Sequence, residues 1–404
     1  MTALSDLRVI EMGQLLAGPF CGQLMADFGA EVIKIEQPGN GDPMRDWGRE
    51  KPHGKSLWWP VVARGKKSIE LNARVPEGQQ IIKDLVAKSD ILIENFRPGT
   101  MEKWGLGYDV LSKINPRLIM IRVSGYGQTG PYAHKAGYGS IGEAMGGLRH
   151  VVGDPDRAPS RTGISIGDTL AATFACLGGM MALHARERTG RGQVVDSAIY
   201  EAVLAVMESL VTEYDKTGYI RPRTGAILPN VAPSNVYPTK SGVDMLIAAN
   251  QDSVFARLAE AMGRPELATD DRYATHGARG AHQEELDALI ADWTATLERE
   301  ELSALLDKHG VPAGDIYRAP EMLEDAHFKA REAIIQIAHP TFGDLKMQNV
   351  APKLSETPGA VRASDPELGQ HNAEIYGGLL GLDERTLADM AARGVVGQIG
   401  AKAA

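Results

Sequence analysis

A carboxylate at the entrance to an apolar helix suits one of two roles, and Asp168 is such a carboxylate. It stands in Thr162-Gly163-Ile164-Ser165-Ile166-Gly167-Asp168-Thr169-Leu170, just before the apolar run 171–183. As an N-cap, its side chain would accept a hydrogen bond from a first-turn N–H. As a nucleophile, its charged form would be favoured by the helix end by roughly 0.3–1 kcal/mol. The run is apolar nearly all round, which predicts a buried helix and places Asp168 near the interior. Residue chemistry alone leaves both roles open.

Other polar groups suit a large anion. Glu94-Asn95-Phe96-Arg97-Pro98-Gly99 leaves a strand at its carboxyl end. There Asn95 and Arg97 fit a phosphate or an adenine edge, and Phe96 can stack on a flat ring; Asn95 can equally satisfy a backbone group. Arg64-Gly65-Lys66-Lys67-Ser68 reads as a solvated turn. With Lys103 and Lys135 it could instead neutralise a diphosphate and a ribose phosphate. Gly125-Tyr126-Gly127-Gln128-Thr129-Gly130 matches a dinucleotide-loop spacing, but Pro131 follows at once and no helix opens there, so a sharp loop at a strand end is expected. His134, His184, His327 and His371 have no Ser or Cys nucleophile beside them, and no Gly-x-Ser-x-Gly elbow is present. No Cys/His cluster has metal-ligand spacing. Cys21 and Cys176 lie in apolar helix-like stretches and read as buried thiols.

These groups must be positioned by an alternation of strands and helices. Residues 7–11, 31–36, 67–71, 90–94 and 118–123 read as strands, with helices over 18–28 and 76–88. Short loops between them argue for a parallel α/β sheet with helices on its faces. Residues 194–199 read as a further strand leading into one long helix, 201–215. The boundaries that follow are a large α/β domain over 1–215, a proline-bearing linker over 216–243, a small domain over 244–325, and a return segment over 326–404. In the small domain, 253–262, 282–296 and 299–308 read as helices. In the return segment, 342–348 reads as a strand and 370–380 as a helix.

Composition narrows the function class. The 404 residues are 43% hydrophobic and 24% charged, an ordinary globular balance. A net charge of -9 with scattered basic residues argues against nucleic acid. The longest apolar runs, broken by Gly, Ser or charges, are read as falling short of the ~20 residues of a membrane span. The N-terminal residues carry no basic-then-apolar leader, so a cytoplasmic location is the expectation.

Taken in order, the motifs resemble those of the family III CoA-transferases, which include the formyl-CoA:oxalate and carnitine enzymes. The resemblance runs through residues 4–11, Leu16-Ala17-Gly18-Pro19-Phe20, residues 27–36, Lys67-Ser68-Ile69-Glu70-Leu71-Asn72, Glu94 to Gly99, Thr189-Gly190-Arg191-Gly192-Gln193 and Leu368-Gly369-Gln370-His371-Asn372. It implies that Asp168 is the nucleophile, forming mixed anhydrides and an aspartyl-CoA thioester. It implies CoA contacts at Leu16, Ala17, Arg64, Lys67, Asn95, Phe96, Arg97, Lys103, Lys135 and Tyr138. CoA and its thioesters would be substrates, with no permanently bound cofactor and no metal. The partners implied are an acyl-CoA, a small carboxylic acid and a second copy of the chain. The implied fold is a Rossmann-like large domain built from both chain ends, plus a smaller α+β domain, in an interlocked homodimer.

Three places depart from family members, the first and third of them from the oxalate enzymes. Leu16 stands where they carry a Gln, with Gln14 out of register. Gln37 stands where some members are basic. Ala248-Ala249-Asn250-Gln251-Asp252 stands where they have a Gly-rich loop. A larger acceptor is therefore expected, such as a dicarboxylate or branched dicarboxylate, with succinyl-CoA as donor. One alternative is an α-methylacyl-CoA racemase, but its Asp-x-Asn-Tyr element is missing from 133–140. Another is a non-catalytic CoA-binding subunit of a heteromeric transferase, which the retained Asp168 disfavours.

Overall fold

The computed structural model describes residues 2–398. The chain forms two compact units. The first combines the chain up to Leu148, Thr162–Thr212 and the chain from Lys329 onward; the second combines Arg149–Arg161 and Glu213–Phe328.

The first unit is built on six strands: β1 Arg8–Glu11, β2 Glu31–Glu36, β3 Lys67–Glu70, β4 Ile91–Glu94, β5 Ile119–Ser124 and β6 Val194–Ala198. They lie in the order β3-β2-β1-β4-β5-β6, every pair parallel. β4 and β5 are buried at every residue, as expected of strands covered on both faces. The order reverses between β1 and β4, and open α/β sheets bind ligands beyond the carboxyl ends of strands at such a switch point.

Each face of the sheet has its own core. On one face, helix α1 (Ala17–Asp27) and Ala171, Ala172 and Ala175 of the apolar run pack over Val9, Val32, Ile93 and Ile121. On the other, helix α2 (Pro76–Val86) joins Ile10, Ile33 and Met120. That second core is completed by Ile375, Tyr376, Leu387, Val395 and Val396 from the far end of the chain. The return is fastened to β3: the Glu70 N–H donates to the Asn372 side chain at 2.9 Å, and the Tyr376 hydroxyl donates to the Glu70 carbonyl at 2.7 Å. Both chain ends thus build this unit.

Two short-range expectations are corrected here. The long helix expected over 201–215 is two helices, α5 (Ile199–Leu204) and α6 (Leu210–Thr217), which follow α3 (Gly139–Met145) and α4 (Ile166–Thr189). Glu208, between them, has φ 53, which a continuous helix forbids. The helix expected over 370–380 is a π-helical stretch, Ala373–Leu379. The strand expected over 342–348 is present as β11 (Gly343–Gln348), paired antiparallel with β10 (Ile334–His339).

The second unit carries a three-stranded antiparallel sheet, β7 (Ser234–Pro238), β8 (Asp244–Ala248) and β9 (Ala313–Asp315). β7 lies inside the stretch read as linker, whose prolines masked its short alternation. Helices α7 (Asp252–Ala261), α8 (His276–Ala281), α9 (Gln283–Thr294) and α10 (Arg299–His309) belong to the same unit. The fully buried Arg279 ties it together, donating to the carbonyls of Ala232, Tyr273 and Asn250 and to the Asp252 carboxylate at 2.7–3.1 Å.

Candidate active site

Asp168 begins a long helix. Helix α4 runs over Ile166–Thr189, with Ser165 at the N-cap position and Asp168 third in its first turn. The cap reading of Asp168 is thereby corrected: the cap position falls three residues earlier. α4 is 24 residues long and reaches a mean hydropathy of 1.4 over 18 residues, so it is long and apolar enough to cross a bilayer. This overturns the expectation that no run reaches that length. Ala171, Ala172, Ala175 and Ala182 on one side of it are buried against the sheet and α1, which makes it a core helix of this unit.

A second helix, α3 (Gly139–Met145), brings the site together. A β-carbon added at Gly139 would lie 2.2 Å from Oδ2 and 2.7 Å from Cγ of Asp168. The carboxylate therefore rests on the bare α-carbon of Gly139, where any side chain would displace it. One turn further along α3, the fully buried Glu143 accepts the Gly167 N–H at 3.3 Å. Sequence reasoning did not single out Glu143. Its only signal was an acid four residues after Gly139, on the face that turns inward.

The loop before α3 starts at the carboxyl end of β5 and folds back on itself. Gly125 and Gly137 approach so closely that a β-carbon on either would meet the other's α-carbon at 2.8–2.9 Å. The dinucleotide-like spacing is thus a loop, as expected, and it returns Lys135 and Tyr138 to the sheet's carboxyl edge. The Lys135 ammonium lies 3.5 Å from the centre of the Tyr132 ring. Tyr138 is 68% exposed and directly precedes Gly139.

The loop after β1 is held at successive residues. The Lys34 ammonium donates to the Gly13 carbonyl at 2.5 Å, and Asp42 accepts the Leu15 N–H at 3.0 Å. The Asn95 carboxamide bonds both the N–H and the carbonyl of Gln14 at 2.8 Å. Leu15 sits at φ 63, a conformation costly for a side-chain-bearing residue and sustained by these contacts. The loop delivers Leu16 and the buried Ala17 to the start of α1. Asn95 thus couples the ends of β1 and β4 across the switch point.

Electrostatics beneath this loop are strong. Lys34 pairs with Asp42 at 2.8 Å and Glu11 at 3.1 Å, and Lys66 pairs with Glu11 at 2.7 Å, all nearly solvent-free. Burial pulls the Lys34 ammonium down, but Asp42, Glu11 and Glu36 more than offset it and raise it above the ordinary lysine value. After β4, the Phe96 N–H bonds Glu94 at 2.8 Å, and Glu94 pairs with Arg122 at 2.6 Å. The Phe96 ring packs edge-on against Trp104, 5.2 Å between centres. Arg97 and Lys103 are exposed beyond it.

Two expected members do not join this group. Arg64 is buried, its guanidinium bonded to Asp27 at 2.7 and 2.9 Å and to the Gln348 carbonyl at 2.7 Å. Lys67 pairs with Glu31 at 2.5 Å and Glu374 at 2.6 Å. Glu31 also pairs with Arg8, and these acids and bases begin β2 and β1, at the amino edge of the sheet.

The sequence as a whole carries a profile match to CoA-transferase family III over residues 4–372. The chain belongs to CoA-transferase family III, and it is a CoA-transferase. It is 62% identical to the succinyl-CoA–D-citramalate CoA-transferase of Chloroflexus aurantiacus, over 97% of this chain and 98% of that one. It is 41% identical to the succinyl-CoA–L-malate CoA-transferase beta subunit of the same organism, over 97% and 98%. A crystal structure of a CAIB/BAIF family protein from Brucella suis superposes with a TM-score of 0.81 at 35% identity, covering 94% of this family III chain and 99% of its counterpart.

Proposed function

We propose that this chain moves CoA from succinyl-CoA to a branched dicarboxylate of the citramalate type, with Asp168 as the covalent carrier. The observation that carries the chemistry is the Asp168 carboxylate resting on Gly139, beside exposed Tyr138, in the first turn of α4. The 62% identical relative over nearly the full length supports the choice of donor and acceptor.

In this reading a carboxylate oxygen of Asp168 attacks the thioester carbonyl, and the C–S bond breaks. The products are an aspartyl–succinyl anhydride and CoA thiolate. The thiolate attacks the aspartyl carbonyl, releasing succinate and leaving an aspartyl-CoA thioester. The acceptor carboxylate then displaces CoA thiolate to give a second anhydride. Attack of the thiolate on the acceptor's carbonyl yields the new acyl-CoA and restores Asp168. No proton is transferred in the sum, which accounts for a carboxylate nucleophile without a general base. The anhydrides require exclusion of water. CoA contacts are assigned to Leu16, Ala17, Asn95, Phe96, Arg97, Lys103, Lys135 and Tyr138, around the carboxyl ends of β1, β4 and β5.

The working form is read as a homodimer. On α4, Phe174, Leu177 and Met181 recur at helical spacing and are 37%, 48% and 61% exposed, an apolar stripe suited to burial against a second chain. The resemblance to a named beta subunit favours testing an unlike partner beside it.

The test is Asp168→Ala, expected to fold and bind CoA but not to transfer it; normal turnover overturns the mechanism. In the native protein incubated with succinyl-CoA, borohydride reduction should mark the Asp168 peptide. Among citramalate, malate, mesaconate, glutarate and oxalate, citramalate should give the highest kcat/KM.

A further inference from the structure

We infer that Glu143 positions the nucleophile by gripping the residue before it from a neighbouring helix. This rests on the reading of Asp168 as nucleophile. Glu143 and Gly139 are one turn apart on α3 and face the same object, the first turn of α4. Gly139 takes the Asp168 carboxylate against its α-carbon, and Glu143 takes the Gly167 N–H.

The contact is close at every point. A β-carbon at Gly167 would lie 2.8 Å from the Gly139 carbonyl oxygen and 3.0 Å from Glu143 Cγ, so position 167 has to be glycine for α3 and α4 to meet. That requirement has a consequence. Glycine is the residue with the most backbone freedom, and it stands in a first turn, where intrahelical hydrogen bonds to the N–H groups are missing. A nucleophile one residue later would share in any fraying. The Glu143 carboxyl restrains the Gly167 N–H and removes that freedom. Burying a carboxyl group is costly, and placing it at the amino end of a 24-residue helix offsets part of the cost, because the first-turn N–H groups favour negative charge. Glu143 therefore acts through Gly167 and need not touch substrate.

The experiment compares Glu143→Ala, Glu143→Met and Glu143→Gln with Asp168→Ala as the reference. Glutamine keeps an acceptor for the Gly167 N–H; alanine and methionine do not, and methionine fills the volume. Loss of the grip is expected to lower kcat roughly 10- to 100-fold. KM for succinyl-CoA should stay within about threefold, and less CoA should be trapped on the Asp168 peptide. Glu143→Gln should retain kcat within about threefold. An unchanged kcat in Glu143→Ala, or an equal loss in Glu143→Gln, overturns the inference. If Glu143→Ala fails to fold, Glu143→Met carries the same comparison. If neither folds, a large loss in Glu143→Gln is decisive against it. If Asp168→Ala itself turns over, the nucleophile reading falls and this inference with it. A dead Asp168→Ala beside an undiminished Glu143→Ala overturns the inference alone.

Discussion

The Asp168 carboxylate and the α-carbon of Gly139 are in direct contact, with the space of one β-carbon already filled by Oδ2. The carboxylate's seat is therefore defined by an absent side chain.

Gly139→Ala tests this seat. In a helix, alanine is ordinarily the better residue by roughly 0.5–1 kcal/mol. Here the added methyl would overlap the carboxylate and turn it away from the thioester. The expected outcome is a fall in kcat of at least about 100-fold with a folded protein. Full activity in Gly139→Ala would show that the carboxylate works from another position.

Asn95 makes a paired amide contact with Gln14, one bond in each direction. Asn95→Asp keeps the acceptor and replaces the donor with an oxygen facing the Gln14 carbonyl. The loop before Leu16 should loosen, and KM for CoA thioesters should rise about tenfold. Borohydride trapping at saturating substrate should still mark Asp168. A KM unchanged from wild type, measured with succinyl-CoA, counts against the loop as a CoA contact.

The buried charges under that loop predict an acid limit. Burial pushes Asp42 and Glu36 upward, but the Lys34 ammonium beside Asp42 and the Arg45 guanidinium beside Glu36 prevail and hold both below the ordinary carboxylate range. A carboxylate depressed in the folded state contributes stability above its unfolded pKa, and that contribution is lost as pH falls through the folded value. Tm should therefore hold from about pH 8 to about pH 5 and fall below about pH 4. Asp42→Asn removes one such group, so the gap in Tm between wild type and this variant should narrow as pH drops. A constant gap from pH 7 to pH 3 would exclude the Lys34–Asp42 pair as a source of the acid limit.

Arg279 predicts where the second unit is weakest. Its donors reach three backbone carbonyls from three segments and the Asp252 carboxylate. Arg279→Met keeps much of the volume and leaves those carbonyls without the guanidinium. Loss of that buried guanidinium should lower Tm by several degrees. Proteolysis near residues 249–252 should accelerate; an unchanged cleavage pattern would remove the stabilising role.

Much of this was legible in the sequence, and the failures have physical causes. The strands of the parallel sheet announced themselves through short runs such as Ile91-Leu92-Ile93 and Ile119-Met120-Ile121, although buried Lys34, Glu94 and Arg122 stand among them. The strand-end placing of Asn95 and Phe96 was legible, since both directly follow β4, whereas Tyr138 stands just before α3. Arg64 and Lys67 misled because a basic residue near a strand looks the same whether it meets a ligand or a buried acid; Asp27 and Glu31, which engage them, are 37 and 36 residues away in sequence. The cap reading of Asp168 failed for a related reason. Its helix starts at Ile166, three residues before the start that a cap at Asp168 requires, and the group that receives the Gly167 N–H comes from 24 residues upstream. The break at Glu208 had no local signal, since neither glycine nor proline marks it.

The apolar stripe on α4 carries the last prediction. Phe174, Leu177 and Met181 point away from the alanine face that packs on the sheet, yet they lie on the helix whose first turn holds Asp168. Exposed apolar side chains at this spacing are costly in water, and a second chain covering them would gain about 25 cal/mol per Å² buried. Leu177→Glu with Met181→Lys leaves the alanine face untouched, so each chain should still fold. In light scattering coupled to size-exclusion chromatography, the mass should fall from about twice the 43.5 kDa chain toward one chain. Transfer should fall with it if the stripe braces the start of α4 from outside. A dimer mass retained in the double variant would show that the second chain covers another surface, and would detach the stripe from the function of Asp168.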